Sequence, residues 1–372
     1  MAERFLEDYQ AFVAQGRTSG KEKKHAEAYQ QLSRAIHLLE TEELGNELPD
    51  KEVAEVYYLR GDAMLSMEGS DALTDTETFH QVIDDFDEAI SLQPEEQFYR
   101  LQRGKLYLRQ SFAEYATQAS QDFEAILKQE PENWEAMRLL GEGYTKQGAY
   151  DKAIPLFSRI LNKAPDLETL TLRGVAFFQQ FPPDYPAALQ DFSVALGLAP
   201  AEESLYLWKA QCLQELDRVP EAIEVYDELI ELAPGKAGYY VDRGFLRSQT
   251  DMEAALSDYE AALQITPHPM ALNNRAFYYK EKREYQLALQ DVMKAIEVDP
   301  SFGIAYATAA EIYADVEDRE NMYRYLKLAL DFYYENPVDV MMEPAFAPFL
   351  HEARFQSLIE KKQERQEEGG EG

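Results

Sequence analysis

Apolar positions along this chain recur three and four residues apart over short runs, and the runs close on proline. "DFDEAISLQP" at 85–94 is one such run, followed by "DFEAILKQEP" at 122–131, "DFSVALGLAP" at 191–200, "DYEAALQITP" at 258–267 and "DVMKAIEVDP" at 291–300. This spacing puts the apolar side chains on one face of a helix. The closing proline cannot continue a helix and marks the turn into the next element. The closing prolines are Pro94, Pro131, Pro165, Pro200, Pro234, Pro267 and Pro300, at intervals of 37, 34, 35, 34, 33 and 33 residues. A period near 34 predicts a stack of two-helix repeats. Acids just after the proline, as in "PEEQ" and "PENW", suit the start of the next helix.

The unit is clearest in "MRLLGEGYTKQGAYDKAIPLFSRILNKAP", residues 137–165. Leu140, Gly141 and Tyr144 fall on its first helix; Ala153, Phe157 and Ile160 fall on its second. The same small residue recurs along the chain as Gly61, Gly104, Gly141, Gly174, Ala210, Gly244, Ala276 and Ala310. At a helix crossing a small residue lets two backbones approach. Facing it, Ala119, Ala153, Ala188, Ala222, Ala255 and Ala288 are each followed four residues later by a larger residue: Phe123, Phe157, Phe192, Tyr226, Tyr259 or Val292. The pairs share a helix face. In these residues the chain resembles the tetratricopeptide repeat family over residues 54 to about 334, in eight units. The resemblance implies an all-α, right-handed superhelical solenoid of antiparallel helix pairs, with ligands held along the first helices.

Three segments follow. Residues 1–48 are expected to form a degenerate repeat acting as an N-terminal cap, its two helices joined by the basic link "GRTSGKEKK"; residues 49–335 form the array; residues 336–372 hold capping helices and a disordered acidic tail, "EKKQERQEEGGEG". Phe346, Phe349, Phe355 and Leu358 are expected to cover the end of the stack, since a terminal repeat otherwise exposes core. Gly61 lies 21 residues before Val82, where the third unit has 12 between Gly141 and Ala153. The excess in "SMEGSDALTDTET", and smaller insertions in "RQSFAEYATQ" and "QQFPPDYP", are expected to be surface loops.

The runs that begin with Asp carry a second signal. Five units have Arg immediately before the crossing residue: Arg60, Arg103, Arg173, Arg243 and Arg275. The same five open the second-helix run with Asp85, Asp122, Asp191, Asp258 and Asp291. The three other units carry Leu140, Lys209 and Ala309 in the first place and Leu156, Val225 and Tyr325 in the second. Residues that vary together are candidates for contact. We therefore expect five salt bridges inside repeats, Arg60–Asp85, Arg103–Asp122, Arg173–Asp191, Arg243–Asp258 and Arg275–Asp291, with the guanidinium fork matching the carboxylate. Leu140 with Leu156 is the apolar replacement for such a pair.

Composition narrows the function. Of 372 residues 45% are apolar, enough for a continuous core, and Asp and Glu number 69 against 36 Lys and Arg, a net charge of −33. That field disfavours nucleic acid and anionic membranes, which demand cations; it reads first as a solvated acidic surface that keeps an elongated protein soluble, and alternatively as a preference for basic partners. No apolar run approaches the roughly 20 residues of a membrane span. The start "MAERFLEDYQ" does not read as a secretory signal. The one cysteine, Cys212, excludes an internal disulfide framework and fits a reducing, cytoplasmic setting. It is expected to be a small core residue.

No catalytic constellation is evident, so the chain does not read as an enzyme, and neither metal nor cofactor is expected. His25, His37, His80, His268 and His351 are scattered, and "GEGYTKQG" at 141–148 follows no strand and departs from the phosphate-loop pattern. The remaining candidate is the lining of the first helices. Early units offer Tyr58, Asp62, Leu101, Lys105, Arg138 and Glu142; later ones offer Phe178, Leu207, Trp208, Gln211, Val241, Phe245, Asn273, Asn274 and Phe277. Aromatic rings with convergent amides suit a peptide or partner helix. A subclass of the family clamps an acidic C-terminus with Lys, Asn and Arg on consecutive first helices; Glu135, Leu139, Ile304 and Thr308 stand where that set would be needed. The expected function is a scaffold or adaptor for a protein or peptide partner, the alternative a non-catalytic regulatory or docking subunit of a larger enzyme complex.

Overall fold

The computed structural model describes residues 2–41, 48–68, 75–333 and 336–369, and among them there is no strand. The chain packs as two compact units, residues 1–198 and 199–372. Unit 1 holds five helical hairpins: α1 (Ala2–Lys21) with α2 (His25–Thr41), α3 (Asp50–Glu68) with α4 (Thr76–Leu92), α5 (Gln97–Leu108) with α6 (Ala113–Gln129), α7 (Trp134–Lys146) with α8 (Tyr150–Leu161), and α9 (Leu167–Gln179) with α10 (Tyr185–Leu198). Unit 2 holds four: α11 (Glu203–Glu215) with α12 (Val219–Leu232), α13 (Ala237–Ser248) with α14 (Met252–Ile265), α15 (Pro269–Glu281) with α16 (Tyr285–Val298), and α17 (Gly303–Asp315) with α18 (Arg319–Phe332). After them come α19 (Pro337–Met342), a 3-10 helix (Pro344–Phe349) and α20 (Ala353–Gly369).

The hairpins close at the small residue. A Cβ on Gly141 would lie 2.5 Å from the ring of Phe157, and one on Gly174 2.7 Å from Phe192. Both rings are fully buried, so each phenylalanine occupies the space the glycine leaves. Where the crossing residue is Ala276, the facing Val292 is smaller and shares its core. Short turns between paired helices use a residue in the left-handed region: Lys23, Gly148, Asp217, Arg283 and Glu317 have φ between 58° and 73°. Side chains cap the starts of several helices; Asn133, Asp166 and Asp251 each accept a backbone N–H of the first turn.

Three expectations about the linkers and ends change. The stretch expected to link the first two helices continues α1 as far as Lys21 and leaves a three-residue turn, Glu22–Lys24. It is helical because it packs: a Cβ on Gly16 would meet Leu32 at 2.7 Å, and Ser19 is buried. The insertions in the first two repeats of the array are in part added helix. α4 and α6 have 17 residues each against 12 in α8, and the extra turns bring buried Phe79 within 5.1 Å of Tyr115. Residues 69–74 of the first insertion lie outside the described residues; the third insertion, 180–184, is a loop that exposes Phe181. Finally, α20 extends through residues 360–369, which were expected to be disordered. Glu, Lys, Gln and Arg are good helix formers, and Arg365 pairs with Asp331 of α18 at 3.0 Å. Residues 370–372 of that tail lie outside the described residues.

The apolar ends are covered within each unit. In unit 1, Tyr9 and Val13 of α1 join the core of α2 and α3. In unit 2, Val340, Phe346, Phe349, Phe355 and Ile359 bury against Met322, Leu326 and Leu330 of α18. Leu358 is only partly buried beside them.

Candidate functional site

Each of the five arginines grips the aspartate of its own hairpin through Nε and Nη2. The Nη2–Oδ1 distances are 2.5 Å for Arg60–Asp85, 2.5 Å for Arg103–Asp122, 2.7 Å for Arg173–Asp191, 2.5 Å for Arg243–Asp258 and 2.8 Å for Arg275–Asp291. The aspartate side chains are 3 to 11% exposed. Burial pushes the carboxyls of Asp85 and Asp122 up, against the opposing pull of Arg60 and Arg103.

A further contact was not foreseen from the sequence. The third guanidinium nitrogen reaches back to the second helix of the preceding hairpin: Arg103 to Asp87, Arg173 to Ser158 at 3.0 Å and Arg243 to Asp227 at 2.5 Å. Asp87, Ser158 and Asp227 all stand two residues after the first residue of the second-helix run, so the signal was present at a position not compared. One side chain thus closes its own hairpin and fixes its register against the preceding one. With their donors engaged, these arginines build the frame and leave ligand contacts to other residues.

The proposed lining residues divide between units. The six from the early repeats lie in unit 1, as does Phe178 on α9, which is half-buried and meets Tyr185 edge-on at 5.1 Å; the other later ones lie in unit 2. Gln211, Phe245 and Phe277 each follow the crossing residue of α11, α13 and α15, so they share one register and one face. Phe245 is 56% exposed, Phe277 46% and Leu207 38%, and Gln211 is exposed as well. Trp208 is half-buried. Two residues expected on this face are instead between hairpins. Val241 packs with Ala237, Ala262 and Ala271, and Asn273 is buried, with no hydrogen-bond partner for its Oδ1 among the described residues. Both stand three residues before the crossing, where in α13 and α15 the side chain turns toward the neighbouring helix. Asn274 is half-buried and hydrogen-bonded with the Tyr259 hydroxyl of α14.

Several carboxylates of unit 2 are shifted by burial. Burial pushes the carboxyl of Asp242 up, while His268 and a hydrogen bond from Tyr226 oppose it. Asp315 and Glu343 are also raised by burial, and the charge of Glu311 adds to the shift at Glu343. The nearby cation Lys280 is already paired with Glu311 and stands 5.6 Å from the Phe277 ring centroid. Among the described residues, no group of three or more His, Cys, Asp or Glu is placed to hold a metal ion, and no helix is long and apolar enough to cross a membrane. Cys212 is fully buried, and burial raises its thiol to about 12.

The tetratricopeptide repeat profile matches residues 101–168, 184–237 and 271–302. Human tetratricopeptide repeat protein 13 is 27% identical over 172 residues, which cover 45% of this chain and 20% of that protein. A Dictyostelium discoideum DnaJ homolog subfamily C member 7 homolog is 27% identical over 168 residues, covering 40% of this chain and 31% of that one. The match thus spans under a third of the length of either relative. Among solved structures, a tetratricopeptide repeat protein from Parabacteroides merdae has a TM-score of 0.49 at 15% identity, over 73% of this chain and 99% of its own. YrrB, described as having an unusual peptide-binding site, has a TM-score of 0.42 at 19% identity, over 50% of this chain and 95% of its own. The repeat length, the glycine-closed crossings and the profile matches agree: over the matched residues this chain is built of tetratricopeptide repeats.

Proposed function

We propose that the chain is a non-covalent scaffold or adaptor, and that unit 2 holds a basic peptide or partner helix against Leu207, Gln211, Phe245 and Phe277. The observation that carries this reading is the pair of half-exposed phenylalanines at one register on adjacent first helices. Solvent-exposed rings in line are poor surface residues and good anchors. Fully burying one such side chain is worth about 1.5–3 kcal/mol. Beside the Phe277 ring stands Lys280, paired with Glu311 and acting also on Asp315 and Glu343, and these acids supply a charge preference. Basic residues flanking two apolar anchors would meet them, and the association would weaken with salt.

The test is co-purification with the full chain followed by affinity measurement on the partner recovered. Phe245→Ala with Phe277→Ala is expected to weaken binding at least tenfold with unchanged far-UV circular dichroism. A partner held equally well by the double variant would remove this face from consideration.

A further inference from the structure

Unit 1 contains a cleft of different character. Two cavities, of about 340 Å³ and 370 Å³, share Asp62 as a common wall. The first lies between α1, α2 and α3, where Gly20 leaves open space beside Arg17, Lys21 and His25. The second lies among α3, α4 and α5, against Tyr58, Phe86, Lys105 and Arg109. Asp62 directly follows the crossing residue Gly61, the register occupied by Phe245 and Phe277 in unit 2.

The ion pairs in this cleft leave one acid without a partner. Arg17 is neutralised by Glu55 at 2.9 Å, and Lys105 by Glu135 at 2.6 Å. Asp62 has neither a hydrogen bond nor an ion pair among the described residues; His25 is the nearby group that opposes its rise on burial. Arg17 and Lys105 are thus already paired, and Asp62, itself exposed to solvent, is left without an ion pair among the described residues. Beside it, Tyr58 stacks on Phe86 with centroids 5.6 Å apart and meets Phe98 at 5.0 Å. A carboxylate next to an aromatic face suits a flat cation, which can pair with the first and stack on the second. Lys21 and Arg109 are exposed cations on the cavity walls. They disfavour a second positive charge and favour acids beside the first.

We propose that this cleft receives a single arginine side chain of a partner segment, its guanidinium on Asp62 and against Tyr58, with acidic neighbours of that arginine over Lys21 and Arg109. The site does not rest on the unit 2 reading: it lies in the other unit and selects a different peptide, singly basic where unit 2 favours several cations.

Fluorescence anisotropy of the full chain with four labelled nonapeptides tests it. One has a central arginine flanked by glutamates; the others replace that arginine with citrulline, replace it with lysine, or replace the glutamates with arginine. The arginine–glutamate peptide is expected to bind at least tenfold more tightly than the citrulline peptide, and more tightly than the other two. Asp62→Asn should weaken it at least tenfold, Tyr58→Leu severalfold, and Phe277→Ala not at all. Arg109→Glu should shift preference toward the all-basic peptide. Equal binding of arginine and citrulline peptides, undiminished binding by a folded Asp62→Asn variant, or no binding at 1 mM peptide would each overturn the proposal. Loss in Phe277→Ala alone would also overturn it, because that result places the contact in unit 2.

Discussion

Removing Arg60 while leaving Asp85 tests what the arginine clasp contributes. Arg60 holds Asp85 through contacts of 2.5, 3.0 and 3.2 Å, and the Asp85 side chain is 3% exposed. Arg60→Leu therefore strands a buried carboxylate, at a cost of about 3–5 kcal/mol. Asp85→Leu leaves Arg60, whose side chain is 25% exposed, able to turn to water, so losing the charged hydrogen bonds costs about 1–3 kcal/mol. The double substitution reproduces Leu140 with Leu156, both of which pack in the neighbouring core, and is expected within about 1 kcal/mol of the parent. The three costs thus differ from additivity by several kcal/mol. Urea unfolding followed by far-UV circular dichroism, with hydrogen exchange over α3 and α4, would measure them. pH supplies a second readout. The Asp85 carboxyl is already raised by burial against the pull of Arg60, and losing Arg60 raises it further. A raised folded-state pKa means the penalty is full above that pKa and shrinks as pH falls from it toward the unfolded value of about 3.9. Arg60→Leu should therefore approach the parent in stability at acid pH. A double variant as unstable as the sum of the singles, or a pH-independent loss in Arg60→Leu, would refute the reasoning.

Two other outcomes follow from burial alone. Phe355→Ala empties a fully buried site against α18 and should cost about 3–5 kcal/mol; unchanged exchange protection in α18 would show that α20 does not cap unit 2. Cys212, with its thiol raised to about 12, should react with a disulfide reagent in the folded chain far more slowly than in urea; equal rates would contradict its burial.

Periodicity determined the hairpins. The proline intervals, the small residue at each crossing and the large residue facing it all act within one repeat, so local spacing carries them. The five arginine–aspartate pairs are legible for the same reason, since both partners occupy fixed places in one hairpin. What the tertiary structure decided lies between repeats or depends on packing depth. Arg103, Arg173 and Arg243 also bind the hairpin before them, which no single unit shows. Val241 and Asn273 look as available in the sequence as Phe245 and Phe277, yet the neighbouring helices enclose the first two and leave the latter pair in solvent. A shift of four residues, one helical turn, keeps a side chain on nearly the same face, and small offsets within that face then decide whether the adjoining hairpin covers it. Asp62 is left without an ion pair for a related reason. Its charge is plain in the sequence, but the pairing of Arg17 and Lys105 with other acids appears only once α1, α3, α5 and α7 are packed together.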